Sequence, residues 1–180
     1  MPADHLNVIE RALIDALRAP PSNAWSVGDI TVFGQFPETS EVEYPCIIVE
    51  HVANGLETQF MGQQATFGSG SSPSEKTAEI YGIGFDIWVA CNKESSMSII
   101  PPPGTGSAVD YKQRRLINYL QLQVANILMD VDFETLTPYL TEVTERHFQG
   151  FKNLTYDATL EVWAARTSML VNFKNYRGNP

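Results

Sequence analysis

The chain has 180 residues, 43% of them apolar and 18% charged, and a formal net charge of −9. This length suits one domain that buries roughly two thirds of its unfolded surface, and the composition is not that of a disordered chain. An acidic surface repels phosphate, and the densest basic cluster is only Lys112, Arg114 and Arg115, so sequence-independent nucleic-acid binding is disfavoured. No stretch reaches the ~18 apolar residues of a membrane helix, and no basic-then-apolar leader opens the sequence. These features predict a soluble protein of the cell interior with no membrane contact, in which Cys46 and Cys91 are reduced, buried thiols. Asn153-Leu154-Thr155 is a glycosylation sequon in form, without weight unless the chain is secreted.

Leu6, Ile9, Leu13 and Leu17 fall at helical spacing and predict an amphipathic helix over Asp4–Arg18, capped by Asp4 and stopped by Pro20-Pro21. A short strand near Asp29–Phe36 follows, on the β-formers Ile30, Val32, Phe33 and Phe36. After a polar turn, Tyr44-Pro45 opens a second strand over Cys46–Ala53. The Gly- and Ser-rich segment Asn54–Thr77 reads as a mobile loop or the end of a long hairpin. Tyr81, Ile83, Phe85, Ile87, Val89 and Cys91 then alternate with smaller or polar residues, which predicts a strand with its odd positions in the core.

A second break, Asn92–Ala108, contains Pro101-Pro102-Pro103-Gly104 and leads to the strongest helix signal, Asp110–Met129. Its buried face is Ile117, Leu120, Val124, Ile127 and Leu128; Leu122, about 200° from Leu120, falls on the polar side. Leu140–Phe173 reads as two strands split near Gln149-Gly150. Ala158–Arg166 is assigned as strand, with helix as the alternative that Ala and Leu would favour. The order of elements predicts one α+β domain over residues 1–180, with a mixed, mainly antiparallel sheet, two helices packed on it and two long loops.

The residues that could carry chemistry are scattered. Cys46 and His51 share one predicted strand, five residues and about 16 Å apart on opposite faces, so they cannot share a metal ion. Asp130-Val131-Asp132-Phe133-Glu134 lacks the turn glycine and distal glutamate of a calcium loop and reads as a solvated segment after the helix. There is no Gly-x-Ser-x-Gly elbow; Gly68-Ser69-Gly70 lacks the lysine of a phosphate loop, and Gly82-Ile83-Gly84 lies inside a strand. No catalytic constellation, metal site or cofactor site is therefore assigned. The two long breaks, exposed Leu122 and the aromatics Trp163, Phe173 and Tyr176 are either contacts with a partner or, as the alternative, tolerated insertions and ordinary surface or core.

In its order of elements the chain resembles the tail terminator, or tail completion, proteins of tailed bacteriophages. The resemblance rests on the helix with Ile9, Leu13 and Leu17, the strand led by Tyr44-Pro45, the hairpin rising to Ile80–Cys91, the helix opening with Tyr111, Lys112 and Arg115, and the closing strands. It implies a non-catalytic virion protein of the tail and neck, assembled in the host cytoplasm as a homohexameric ring. Such a ring caps the tail tube, meets the head–neck connector proteins and, in contractile phages, the sheath. It implies no cofactor. DNA would pass through the channel without specific binding, repelled by some of Glu38, Glu41, Glu43, Glu57, Glu75 and Glu79. Interface candidates are Leu122, Gln63, Phe67 and Trp163. The alternatives are another ring-forming neck or tail-tube connector, or a small enzyme with a site drawn from Cys46, His51 or Asp86.

Overall fold

The computed structural model describes residues 5–20, 24–25, 28–35, 37, 42–52, 57–67, 74–100, 106–133 and 142–177. In chain order the elements are α1 (His5–Arg18), β1 (Thr31–Phe33), β2 (Cys46–His51), β3 (Glu57–Phe67), β4 (Ser74–Asn92), β5 (Ser96–Ile99), β6 (Val109–Lys112), α2 (Gln113–Met129), β7 (Glu142–Asp157) and β8 (Val162–Arg177). Among the described residues, six strands form a sheet in the order β1-β2-β4-β8-β7, with β3 also paired to β4; β5 and β6 form a separate small ribbon. Among the described residues of the larger sheet, β1–β2 is the one parallel pair. The fold is α+β, as the pattern of elements predicts.

The 19-residue strand β4 organises the sheet. On one side it pairs with β8 without a break, from Thr77 opposite Arg177 to Asn92 opposite Val162. On its other side β2 and β3 follow one another, β2 against Phe85–Ala90 and β3 against Ser74–Gly82. The amide of Val52 continues that ladder by donating to the Gly84 carbonyl at 3.0 Å. A side chain at Gly84 would stand 3.6 Å from Val52, an ordinary contact, so β4 does not need glycine there.

Both helices pack on one face of this sheet. Ile9, Leu13 and Leu17 of α1 and Leu116, Ile117, Leu120, Val124 and Leu128 of α2 are fully buried against Ile47, Val49, Ile83, Phe85, Ile87 and Val89. These strand residues are one face of the pleat, alternating with residues on the other. Truncation of Leu120, at the centre of this layer, to Ala should cost about 2–5 kcal/mol of unfolding free energy, measured by urea denaturation. A cost below ~1 kcal/mol would contradict the packing of α2.

Several expectations need correction. Asn54–Thr77 is not one long loop: β3 and the start of β4 pair across it from Glu57 to Ser74, which realises the hairpin alternative. Residues 53–56 and 68–73, including the Gly/Ser run, lie outside the described residues. Within Asn92–Ala108, Asn92 turns the chain by accepting hydrogen bonds on Oδ1 from the Glu94 and Ser95 amides at 3.1 and 2.9 Å, and β5 follows. Asp110, Tyr111 and Lys112 belong to β6 rather than to the helix, which starts at Gln113. Gly150 does not end a strand. It sits at positive φ (96°) where β7 shifts register against β8, between Phe148 and Phe151. The turn lies instead at Ala158–Glu161, where Asp157 Oδ1 accepts from the Thr159 and Leu160 amides at 2.8 and 3.0 Å. The helical alternative for Ala158–Arg166 is excluded, because Val162–Arg166 is strand. The segment after α2 is not wholly solvated either: Val131 and Phe133 are buried, and Arg146 Nη1 donates to the carbonyls of Leu128 and Val131 at 3.3 and 2.8 Å.

Candidate interaction surfaces

The sheet has a second face, on which no described helix packs. Its apolar part is Cys46, Ile48, Ala90 and Val162, with Phe33, Val42, Tyr44, Trp88 and Ala164 partly buried around them. Beside it runs a polar network. Asp86 receives Arg166 Nη1 at 2.7 Å on one carboxylate oxygen and Ser168 Oγ at 2.5 Å on the other. The Arg166 guanidinium lies over the Trp88 ring at 5.3 Å, and Trp88 Nε1 donates to Glu50 Oε2 at 3.3 Å. Further along β8, Asn172 Nδ2 donates to Glu145 Oε2 at 3.2 Å. A hydrogen bond from His147, and then that from Asn172, hold the Glu145 carboxyl below the ordinary carboxylate range. Arg, Trp and Tyr on a sheet face are the residue types that dominate protein contacts.

The predicted interface residues do not form one patch. Leu122 is half exposed on the outer side of α2, as its phase predicts. Trp163 is only half buried, packs against the main core and contacts Tyr156 at 4.6 Å between ring centroids. Gln63 and Phe67 lie on β3 opposite Ala78 and Ser74, at the far end of β4 from Cys91, the partner of Trp163. The 13 or more residues between them along β4 amount to roughly 40 Å. Phe173 is corrected from candidate contact to core residue: it is buried and stacks on Tyr81 at 5.9 Å. Tyr176 lies opposite Ala78 in the β4–β8 ladder. Of the six proposed channel carboxylates, Glu43 is exposed just before β2, Glu57 lies on β3 and Glu75 and Glu79 on β4. Glu38 and Glu41 lie outside the described residues. The sequence reading missed the exposed apolar residues Met129, Phe151, Tyr156 and Leu160. Met129 was legible, since it follows Leu122 by seven residues on the same helix.

Cys46, His51 and Asp86 do not converge on a catalytic centre. Cys46 belongs to the second-face cluster, whereas the His51 ring meets Phe85 of the main core edge-on at 6.0 Å. Asp86 is held by Arg166 and Ser168, the arrangement of a structural ion pair. The two thiols are buried and unbonded to each other. Burial, with a smaller contribution from Cys91, pushes the Cys46 thiol up to about 12, and burial pushes Cys91 up to about 11. No protein-family model and no curated protein matches the chain.

The raised thiol values give a signed prediction. A folded-state value above the ordinary 9.0 favours the protonated form in the fold. The associated stability is whole below about pH 9 and falls as pH rises towards 11–12. At pH 8 a maleimide or aromatic disulfide reagent should leave both thiols of the native protein unmodified and titrate both in urea. Fast modification of either thiol without unfolding would contradict this environment.

Proposed function

We propose that this chain is a non-catalytic virion protein that forms a hexameric ring on the end of a bacteriophage tail tube and joins the tail to the head–neck complex. The observation that carries the reading is the succession of a Tyr-Pro-led strand, a long alternating strand and an amphipathic helix, the features in which the chain resembles tail terminator proteins. The helix begins two residues later than the resemblance places it, with Tyr111 and Lys112 in the strand before it. That displacement leaves the order of elements intact.

Two physical features support a structural role. Cys46, His51 and Asp86 face different neighbours, and Asp86 is committed to an ion pair. Apolar side chains stand exposed on the outside of α2 and around the β7–β8 turn, where a monomer gains nothing from them. In the ring, partners are the neighbouring copies, the tube protein, the connector proteins and, where present, the sheath. An acidic channel wall would let DNA slide without holding it. The test is to delete the gene and image the particles by negative-stain electron microscopy. Tails of abnormal length, or tails unjoined to heads, are the expected phenotype. Normal tails attached to filled heads would rule the function out.

A further inference from the structure

The outer side of α2 is unusual in a chain of net charge −9. Leu122 and Met129 are 51% and 50% exposed there, two turns apart on one stripe. At the start of the same helix stand exposed Arg114 and Arg115, and the helix contains no carboxylate. Two arginines at a helix N-terminus oppose the macrodipole, and no acidic side chain in the first turn offsets them. Arg115 gains a contact with the Tyr111 ring at 4.1 Å, but intrahelical electrostatics do not explain the pair.

The opposite face of the sheet supplies what this helix lacks. Around the β7–β8 turn lies a shallow depression of about 570 Å³, lined by Thr155, Tyr156, Leu160, Val162 and Ala164 among others. Exposed Asp157 and Glu161 flank it; Glu161 is paired with Lys93 at 2.6 Å. The two surfaces stand level along the strands. Cys91, opposite Trp163, has its Sγ 3.7 Å from the Gln113 carbonyl oxygen, so α2 starts level with the β7–β8 turn. Gln121 Nε2 donates to the Arg166 carbonyl at 3.4 Å, so the middle of α2 lies near the level of Arg166, two residues along β8 from Ala164.

We propose that α2 of one copy docks on the sheet face of the next over which no described helix packs, with Leu122 at the depression by Thr155 and Ala164 and Arg114 and Arg115 towards Asp157 and Glu161. A second copy is the occupant that the charges select. Chains of net charge −9 repel one another unless a cationic surface meets an anionic one, and one chain carries both at matching levels. Pairing along the sheet edges is the weaker route. β7, an edge strand, has three register shifts, and β3 has two; such bulges blunt edge-to-edge pairing. The contact is heterologous, using two different surfaces of each copy, and a rotation that closes makes it a ring.

This contact deepens the ring reading and shares its premise that copies associate, but it is tested on the purified protein alone. Leu122→Cys and Thr155→Cys both place a thiol at an exposed position, while native Cys46 and Cys91 are fully buried. Each variant alone, their equimolar mixture and the double variant are oxidised with copper phenanthroline and resolved on non-reducing gels. The mixture should give at least fivefold more covalent dimer than either single variant, and the double variant should give a ladder of multimers. Dimer from Leu122→Cys alone equal to that from the mixture would overturn the proposal in favour of helix-on-helix pairing. A mixture no better than the single variants would overturn it outright. Loss of the cross-link with abnormal tails in the deletion strain would remove this contact and keep the tail function. A strong cross-link with normal tails would do the reverse.

Discussion

The unbroken ladder between β4 and β8 is the constraint on which the rest of the structure depends. It fixes sixteen consecutive residue pairs, from Thr77–Arg177 to Asn92–Val162. Such a ladder fixes register, because a slip of β4 by one residue against its neighbours would exchange its two faces. Ile83, Phe85, Ile87 and Val89 would leave the helices and Asp86 would enter the apolar layer. The ion pair of Asp86 with Arg166 reinforces the same register, since it forms only when those strands are aligned as they are. A carboxylate deprived of its partner there would carry a desolvation cost of a few kcal/mol.

The two faces of this ladder differ in what they require. One is closed by α1 and α2 and contains the largest buried side chains. The other holds a small apolar cluster, the Trp88–Arg166 stack and the Asp86 network, with no described helix over it. With helices on one side and no described helix on the other, the sheet presents two different surfaces. Stacking one side on the other repeats indefinitely or closes, depending only on the rotation between copies.

Much of this architecture was legible because the strongest periodicities lie in the elements that form the core. The odd residues from Ile83 to Cys91, and Ile117, Leu120, Val124, Ile127 and Leu128, are buried as their spacing requires. The misses have local causes. β3 was hidden by its glycine-rich surroundings and weakly apolar sequence; it is held by its pairing to β4, a long-range contact that local pattern does not encode. Gly150 was taken for a turn because glycine usually marks one, yet it relieves a bulge within β7. The actual turn has neither glycine nor proline: the Asp157 side chain organises it and Glu161 adopts positive φ (52°). The start of α2 was placed at Asp110, whereas the helix begins after Lys112 with no side-chain cap and with Gln113 at φ 49°. For the contact surface, the exposure of Leu122 was readable from helical phase. The depression that the proposed contact pairs with it was not, because it arises from the β7–β8 pairing.

The proposed ring role places the function in the shape and charge of the surfaces, so the assembly state is the most direct readout of the account. Native mass spectrometry of the purified chain, alone and with isolated tail tubes, measures that state. The account predicts a closed assembly of six copies of the 20.0 kDa chain, about 120 kDa. A monomer, or a dimer that adds no further copies even in the presence of tubes, would contradict it.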